Sequence, residues 1–521
     1  MRLQGSFLAG ALVCALLFSL SLAGQQPTGS ISGVVSDPTG AVVPAADITV
    51  ANKATGVIIQ TKTSGAGAYT VSSLLPGAYE VRVASEGFKT TQLNVVVQVG
   101  SVSAGSVELE LGERADSVIV ESSAVVVNPI QTSVEGVITE ALIRDLPLNG
   151  RNFLDLGQLE PGVQAQDASN TSLFKGQFTA LSIGSSTGSS TRVTVDGVDV
   201  SDEILGTTTM NLSQDSIREF QISRATFVVS TDITESGAVN VVTKSGSNRI
   251  HGTGFFFGRS NRLAARIGQE DADFDRQQIG FNLGGPFIRD RLFWFVNSER
   301  SNQDGVVATL IPSFPQFTNT WQKPFDERFT TARLDWNIKP NLRTFFRFNH
   351  NWNNAVASGR LGLGGTNLTA QANQNITNQT VVGVDASTGL FTHSFRYGHL
   401  NANTHVVDAR DQVPGLPRTL DPAGRDILIR FSGQGGFAGI GPNPIAPTRN
   451  LQENQQFRYD GGVVFGRHAV RWGTNLNLIE ANLFQPFQAN GTDIQLLVNG
   501  NTRAAIVAAG LDPLEPLNYP V

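Results

Sequence analysis

The chain has 521 residues, room for roughly three or four ordinary domains. Only 16% of residues are charged, against about 25% in a typical soluble domain, and the formal net charge is −6 with no Lys/Arg-rich run. That balance excludes an electrostatic nucleic-acid binder, and a single cysteine, Cys14, excludes a disulfide scaffold.

Residues 1–24 read as an export signal. Arg2 gives the positive start, Phe7 to Leu22 is a mostly apolar run, and Ser21-Leu22-Ala23 puts small residues before a cleavage point near Ala23 or Gly24. A membrane-anchoring helix is the alternative, but the run is short for a span. No later segment carries the ~20 apolar residues a membrane helix requires, so any crossing must be made by strands. Residues 25–112 then alternate in short pieces. Ile48 and Val50 flank Thr49, Tyr79, Val81 and Val83 alternate with Glu80 and Arg82, and Val107, Leu109 and Leu111 alternate with Glu108 and Glu110. Asp37-Pro38-Thr39-Gly40 marks a turn, and the whole predicts an Ig-like β-sandwich. The string GVVSDPTGAVVPAADITV with GAYEVRVASEGFKT resembles the carboxypeptidase regulatory-like domain, which implies kinship with carbohydrate-binding-like sandwiches. The segment has no His and hence no peptidase zinc site of its own. A spacer or docking role and a glycan site both stay open.

The next block, 113–248, is a run of short helix, strand and turn signals, the block that the resemblance named below assigns to a plug domain. Asp116, Ser117, Val118, Ile119 and Val120 form a short extended segment beside acidic residues. Thr139 is placed to cap a helix over Glu140 to Asp145, and Pro147 stops it. Leu146, Pro147, Leu148, Asn149, Gly150 and Arg151 open the phrase LPLNGRNFLDLGQLEPGV. Val193 and Val195 lead into Asp196-Gly197, a hairpin signal inside VDGVDVSD. SQDSIREFQIS predicts a short helix start and a strand, and NVVTKSGSNRIHG closes the block. From 249 to 521 the alternation lengthens. Leu342, Thr344, Phe346, Phe348, His350 and Trp352 share one face, with Arg343, Phe345, Arg347, Asn349 and Asn351 on the other. Val470, Trp472, Leu476 and Leu478 oppose Arg471, Asn475 and Asn477 in the same way. Eight to ten such strands fit between Arg249 and Phe484, and the Asn/Gly/Gln-rich stretches Gly359 to Gln379 and Gly433 to Gln455 read as long loops.

LPLNGRNF, VDGVD and NVVTKSGSN, in this order before barrel-type strands, resemble the plug and plug-to-barrel junction of TonB-dependent receptors of the Oar-like type. The resemblance implies a mainly β chain: an Ig-like sandwich, a plug domain, and a partial transmembrane antiparallel β-barrel that stops short of the family's full strand number. It implies an outer-membrane protein of a Gram-negative bacterium with its N-terminal domain in the periplasm. Partners would be a TonB-type energy-coupling complex, outer-membrane lipid and an extracellular ligand of unknown class, with no nucleic acid. Asp116 to Val120 resembles a TonB box, which works by adding an extended strand to a partner's sheet; it also reads as the first plug strand. A non-transporting cell-surface adhesin and a secreted glycan-binding protein are the rival readings, and the ordered plug motifs argue against both.

No catalytic, cofactor or metal site is expected. Gly184-Ser185-Ser186-Thr187-Gly188 fits G-x-S-x-G but runs into a strand where a nucleophile elbow needs a helix. Gly433-Gln434-Gly435-Gly436-Phe437-Ala438 runs into GIGPNPIAP and is read as a loop. The six histidines make no helical metal pair, and Asp196 and Asp199 read as turn-forming and packing residues.

Overall fold

The structure is a computed structural model. It describes residues 28–112, 117–121, 134–146, 148–167, 178–184, 186–204, 206–225, 236–263, 274–309, 314–317, 319–357, 371–388, 391–413, 415–416, 418–432, 438–443, 445–465, 468–485, 492–515 and 518–519. The expected export signal and Asp116 lie outside that set.

Alternation builds the first body. β1 (Gly29–Ser36), β2 (Asp47–Asn52), β3 (Ile58–Lys62), β4 (Ala68–Leu74), β5 (Gly77–Ala84), β6 (Thr90–Val97), β7 (Val102–Ala104), β8 (Val107–Glu108) and β9 (Ser117–Glu121) form two sheets. One runs β4-β1-β7 with β8 also on β1, and the other runs β3-β2-β5-β6-β9. Their inward residues, among them Ile31, Val35, Ile48, Val50, Val81, Val83 and Leu109, make one buried core. The sandwich therefore gains a strand, β9, beyond the 25–112 boundary read from the sequence.

The second body has β10 (Val134–Thr139), helix α1 (Glu140–Asp145), β11 (Val163–Asp167), β12 (Thr179–Ile183), β13 (Thr191–Val195), β14 (Val198–Asp199), β15 (Ile217–Ala225) and β16 (Gly237–Thr243). The central sheet is ordered β10-β15-β16-β13-β14, with β11-β12 as a separate hairpin. Thr139 stands at the N-cap of α1 but its side chain makes no cap hydrogen bond. The helix start expected in SQDSIREFQIS is only a single 3₁₀ turn at Gln214–Ser216, because β15 takes up Ile217 onward and buries Phe220 and Ile222.

The third body consists mostly of long antiparallel strands, with a few short ones. They are β17 (His251–Ser260), β18 (Phe274–Ile288), β19 (Leu292–Thr309), β20 (Asn319–Gln322), β21 (Phe325–Lys339), β22 (Leu342–Ala357), β23 (Gln371–Thr388), β24 (Phe391–Asp408), β25 (Ile427–Ser432), β26 (Ala438–Ile440), β27 (Thr448–Phe465), β28 (His468–Phe484) and β29 (Thr492–Leu497), followed by α2 (Gly500–Ala508). Ten of them make one sheet, β17-β18-β19-β21-β22-β23-β24-β27-β28 with β20 on β19. The period of two sets its faces: Ile279, Phe281, Leu334, Trp336, Phe346, Phe395, Leu476 and Leu478 are exposed on the outside. Arg333, Arg347, Asn349, Asn351, Gln379, Arg396 and Gln456 are buried on the inside, where Arg347, Asn351 and Gln456 bond the second body, which fills the expected plug block and is called the plug below.

The loop expectations are corrected in part; Gly359 to Ala370 and Gly433 to Phe437 lie outside the described residues. Gln371 to Gln379 and Thr448 to Gln455, read as loop, are the first halves of β23 and β27. Their amides line the inner face at every second residue, so a strand half has the composition of a loop. At the barrel end far from the sandwich, β26-β25-β29 form a small sheet. It packs with α2, Phe314 and Tyr519 into an apolar cap, and Val356 and Ala372 of the wall and Val413 of the connection after β24 join that cluster.

Candidate functional site

Two clusters of polar contacts anchor the plug on the inner wall. The first is the hairpin turn between β13 and β14, where Val195 pairs with Val198. Asp196 and Gly197 both have positive φ, 49° and 84°. That is the geometry of a type I′ turn, which Asp-Gly adopts at low cost. The turn drives the Asp196 carboxylate into the wall. Oδ1 accepts the Thr243 N–H at 3.0 Å and Oδ2 accepts the Thr243 hydroxyl at 2.7 Å. Arg333 of β21 and Arg347 of β22 reach the same carboxylate at 3.2 and 3.1 Å. All three ionic side chains are at most 3% exposed. Burial alone would raise the Asp196 pKa, but the two guanidiniums and Thr243 outweigh it and hold the carboxyl below its usual range.

Each arginine is held from behind. Arg333 donates to both oxygens of Asp335 at 2.9 Å and stacks over Phe345 at 4.4 Å. Arg347 donates to Gln379 Oε1 at 2.8 Å and to the Val195 carbonyl at 3.3 Å. Asp385 bridges Arg343 and Arg396 at 2.7 and 2.8 Å, and Arg396 also lies over Phe345 at 5.1 Å. The wall thus presents a preorganised cationic socket and the plug supplies the anion.

The second contact is the LPLNGR segment. Leu146 ends α1, Pro147 lies outside the described residues, and Leu148 packs on the plug core. Asn149 Oδ1 accepts from Arg259 at 2.7 Å and from Arg276 at 3.1 Å, and the Gly150 carbonyl accepts from Gln278 at 3.2 Å. Arg151, at φ 57°, lies 4.4 Å over Phe255 and 5.0 Å over Phe257 of β17. Its guanidinium pairs with Asp215 of the plug and, at 3.4 Å, with Glu299 of β19. A positive φ in a non-glycine residue is costly, so the aim of this side chain is over-determined by its partners.

Between these two clamps the wall holds plug backbone with neutral groups. Gln456 accepts the Asp199 N–H at 2.8 Å, Gln452 accepts the Glu203 N–H at 3.0 Å, and Asn351 accepts the Asn211 N–H at 3.2 Å. Thr377 donates to the Thr209 carbonyl. Beside them, burial pushes the Asp199 carboxyl up to about 6 against the pull of Arg192.

The sandwich is docked beneath. The Val99 N–H donates to Glu219 Oε2 of β15 at 2.8 Å, Arg343 donates to the Ser73 carbonyl at 3.2 Å, and the Asn248 N–H donates to the Ala54 carbonyl at 3.0 Å. Gly56, at φ 70°, lets the β18–β19 turn approach so closely that a Cβ would lie 2.1 Å from Asp290 Oδ1. Burial pushes the Glu219 carboxyl up to about 7, opposed by the Val99 N–H and Arg218.

Ser117, Val118, Ile119 and Val120 lie on β9, paired in parallel with β6. That segment is thus apart from the plug sheet, whose first strand is β10. Sequence reasoning singled out Asp196, Gly197 and the LPLNGR segment and put Arg347 on the polar face of its strand, but missed its partner and missed Glu219 and Glu299. A charged residue on the inner face of an otherwise amide-lined strand was the available signal; its partner was not.

The architecture is that of a β-barrel protein of the outer membrane with a plug seated against the inner wall. The chain belongs to the outer membrane beta barrel domain family, whose model matches residues 242–318 and 308–505. A carboxypeptidase regulatory-like domain model matches residues 30–110. The chain is 27% identical over 337 residues to the TonB-dependent transporter Oar of Myxococcus xanthus, covering 60% of this chain and 29% of that protein. It superposes on the outer membrane transporter YddB from Escherichia coli with a TM-score of 0.51 at 10% identity, over 70% of this chain and 50% of that one. The chain therefore spans half or less of the length of these relatives. Together the matches support the Oar-like TonB-dependent receptor resemblance and place the chain in the outer membrane of a Gram-negative bacterium.

Proposed function

We propose that the chain is the plug-bearing part of an outer-membrane receptor that captures an extracellular ligand and admits it when an inner-membrane complex pulls on the plug. The observation that carries this reading is the Asp196 socket. A plug that only sealed the barrel could be fixed by apolar packing. This one adds, to apolar contacts of Val198 with Phe345 and Val381, ion pairs to two buried arginines, flanked by amide contacts to its backbone. Such contacts are strong in place and exchangeable for water once moved. The cap at the far end would face the outside, and the sandwich would sit in the periplasm beside the segment on which force acts.

On this reading Ser117 to Val120, with Asp116, is the coupling strand, and the partner recognises its backbone by strand addition. Val118→Pro removes a backbone donor and fixes φ, and so breaks the added strand. In a strain carrying the complete receptor, surface ligand binding is expected to persist while uptake falls to the level seen without the inner-membrane partner. Normal uptake by Val118→Pro would overturn the coupling role of this segment.

A further inference from the structure

The segment read as the coupling strand does not hang loose: it completes a sheet of the sandwich. β9 pairs with β6 in parallel, with Thr90 opposite Ser117, Thr91 opposite Val118, Gln92 opposite Ile119, Leu93 opposite Val120 and Asn94 opposite Glu121. The sheet order β3-β2-β5-β6-β9 puts β6 at its edge if β9 is removed. β6 is a good acceptor for such an addition. Thr91, Leu93, Val95 and Val97 are buried in the sandwich core and hold its backbone straight, while Asn94 and Val96 are exposed. An edge of this kind, carrying unpaired backbone groups and an exposed valine, is a template for any extended strand nearby. The sequence Ser117-Val118-Ile119-Val120-Glu121, with three β-branched residues in a row, is the kind of strand that takes it. The parallel direction follows from the crossover through β7 and β8, which lie on the other sheet.

We infer that the β6 edge of the sandwich is an internal docking site for the coupling strand, and that it masks this strand from the energy-coupling partner until the strand is released. The inference rests on the coupling reading above. A partner that recognises 117–121 by backbone pairing competes with β6 for the same hydrogen-bonding groups. The competitor is tethered, so it acts at an effective concentration of order millimolar. The partner's apparent affinity is its intrinsic affinity multiplied by the fraction of receptors in which β9 is undocked. The sandwich is itself anchored to plug strand β15 through Val99 and Glu219, two residues beyond the end of β6. The sandwich that holds the masked strand is thereby tied to the plug strand that pairs with β10, the next strand along the chain.

The register supplies the test. In the complete receptor, with Cys14→Ser, the pair Gln92→Cys and Ile119→Cys is placed at directly opposed positions. Gln60→Cys with Ile119→Cys is the control, since β3 is the opposite edge of the sheet. Outer membranes are oxidised and the disulfide is scored by maleimide mobility shift. Binding of the purified periplasmic domain of the host's TonB-type protein is then measured before and after reduction. The expected result is a disulfide in most molecules of the Gln92/Ile119 pair and little in the control. Binding should weaken at least tenfold in the oxidised form and recover on reduction. A disulfide yield no higher than the control's overturns the docking. If the locked form binds normally while Val118→Pro abolishes binding, the partner adds to the outer edge of β9 and masking is overturned. If Val118→Pro binds as tightly as wild type, the coupling reading itself fails, whatever the disulfide yield.

Discussion

Asp196→Asn isolates the charge of the plug anchor. The amide oxygen can still accept the Thr243 N–H, and asparagine tolerates the positive φ of the turn. What is lost is the carboxylate. Arg333 keeps its two bonds to Asp335, but Arg347 is left with the neutral oxygens of Gln379 and Val195 at 0% side-chain exposure. Removing one partner of a buried ion pair costs about 3–5 kcal/mol, because the other charge stays buried and unpaired. That corresponds to between about two and four orders of magnitude in the population of the displaced plug at a given urea concentration. Every tryptophan (Trp294, Trp321, Trp336, Trp352 and Trp472) lies after the plug, so intrinsic fluorescence reports the barrel. A cysteine at Val193, buried on β13 beside the turn, reports the plug when Cys14 is replaced by serine. Thiol labelling across a urea series is expected to show the plug midpoint falling in Asp196→Asn with barrel fluorescence unchanged. Adding Arg347→Gln removes the stranded charge and should recover much of the loss. A change below about 0.5 kcal/mol in the single variant, or a double variant no more stable than the single, would refute the anchor argument.

The Phe346→Arg change puts a charge on the exposed outer face of β22, where a bilayer-facing arginine is unfavourable by roughly 2–4 kcal/mol. It should impair assembly into membranes far more than Asn477→Arg on the inner face of β28; equal heat-modifiable yields of both would contradict the assigned faces. The Glu219 carboxyl has its pKa raised by burial at the sandwich–plug contact to about 7, so the docked state favours its protonated form. Docking is therefore strongest below the ordinary value of 4.5, weakens as pH rises towards about 7, and levels off above that. Protection of the Val99 amide against hydrogen exchange, corrected for intrinsic rates, should fall by up to about two orders of magnitude across that window. In Glu219→Gln it should stay flat, and an unchanged slope would remove Glu219 as the cause. Arg151→Lys keeps the charge but loses the planar stack over Phe255 and Phe257, and should cost the plug about 1–2 kcal/mol in the same labelling assay. A plug midpoint equal to wild type would show that charge alone matters there.

Much of this molecule was written in short-range patterns. The alternation of Leu342 to Trp352 predicted which residues of β22 face out, and Asp196-Gly197 predicted a hairpin turn. Both depend on neighbours one or two residues apart, which a sequence displays directly. The Asn-rich start of β23 was misread because amide side chains serve equally well on a loop and on the inner face of a plugged barrel. The pairing of Asp196 with Arg333 and Arg347 was not legible at all. Each charge by itself looks like an ordinary inward-facing polar residue, and only the packing of plug against wall brings them to one point. The addition of β9 to β6 was hidden for a related reason. Ser117 to Val120 was visibly an extended strand, but a strand's partner is chosen by topology, and two sheets were available to take it.

The cap at the barrel's far end carries one more consequence. Its central pairing is parallel, β25 with β29, and the two strands come from different connections: one from the β24–β27 crossing and one from the chain after β28. Ile429 sits opposite Ile494 and Phe431 opposite Leu496. Surface connections of a barrel ordinarily drift independently, each free to lengthen or change composition without regard to the others. Here an insertion or a polar substitution in one segment uncovers the apolar face of the other. Relatives that keep this cap should therefore change residues 427–432 and 492–497 together, as if they were one segment, while neighbouring connections vary on their own.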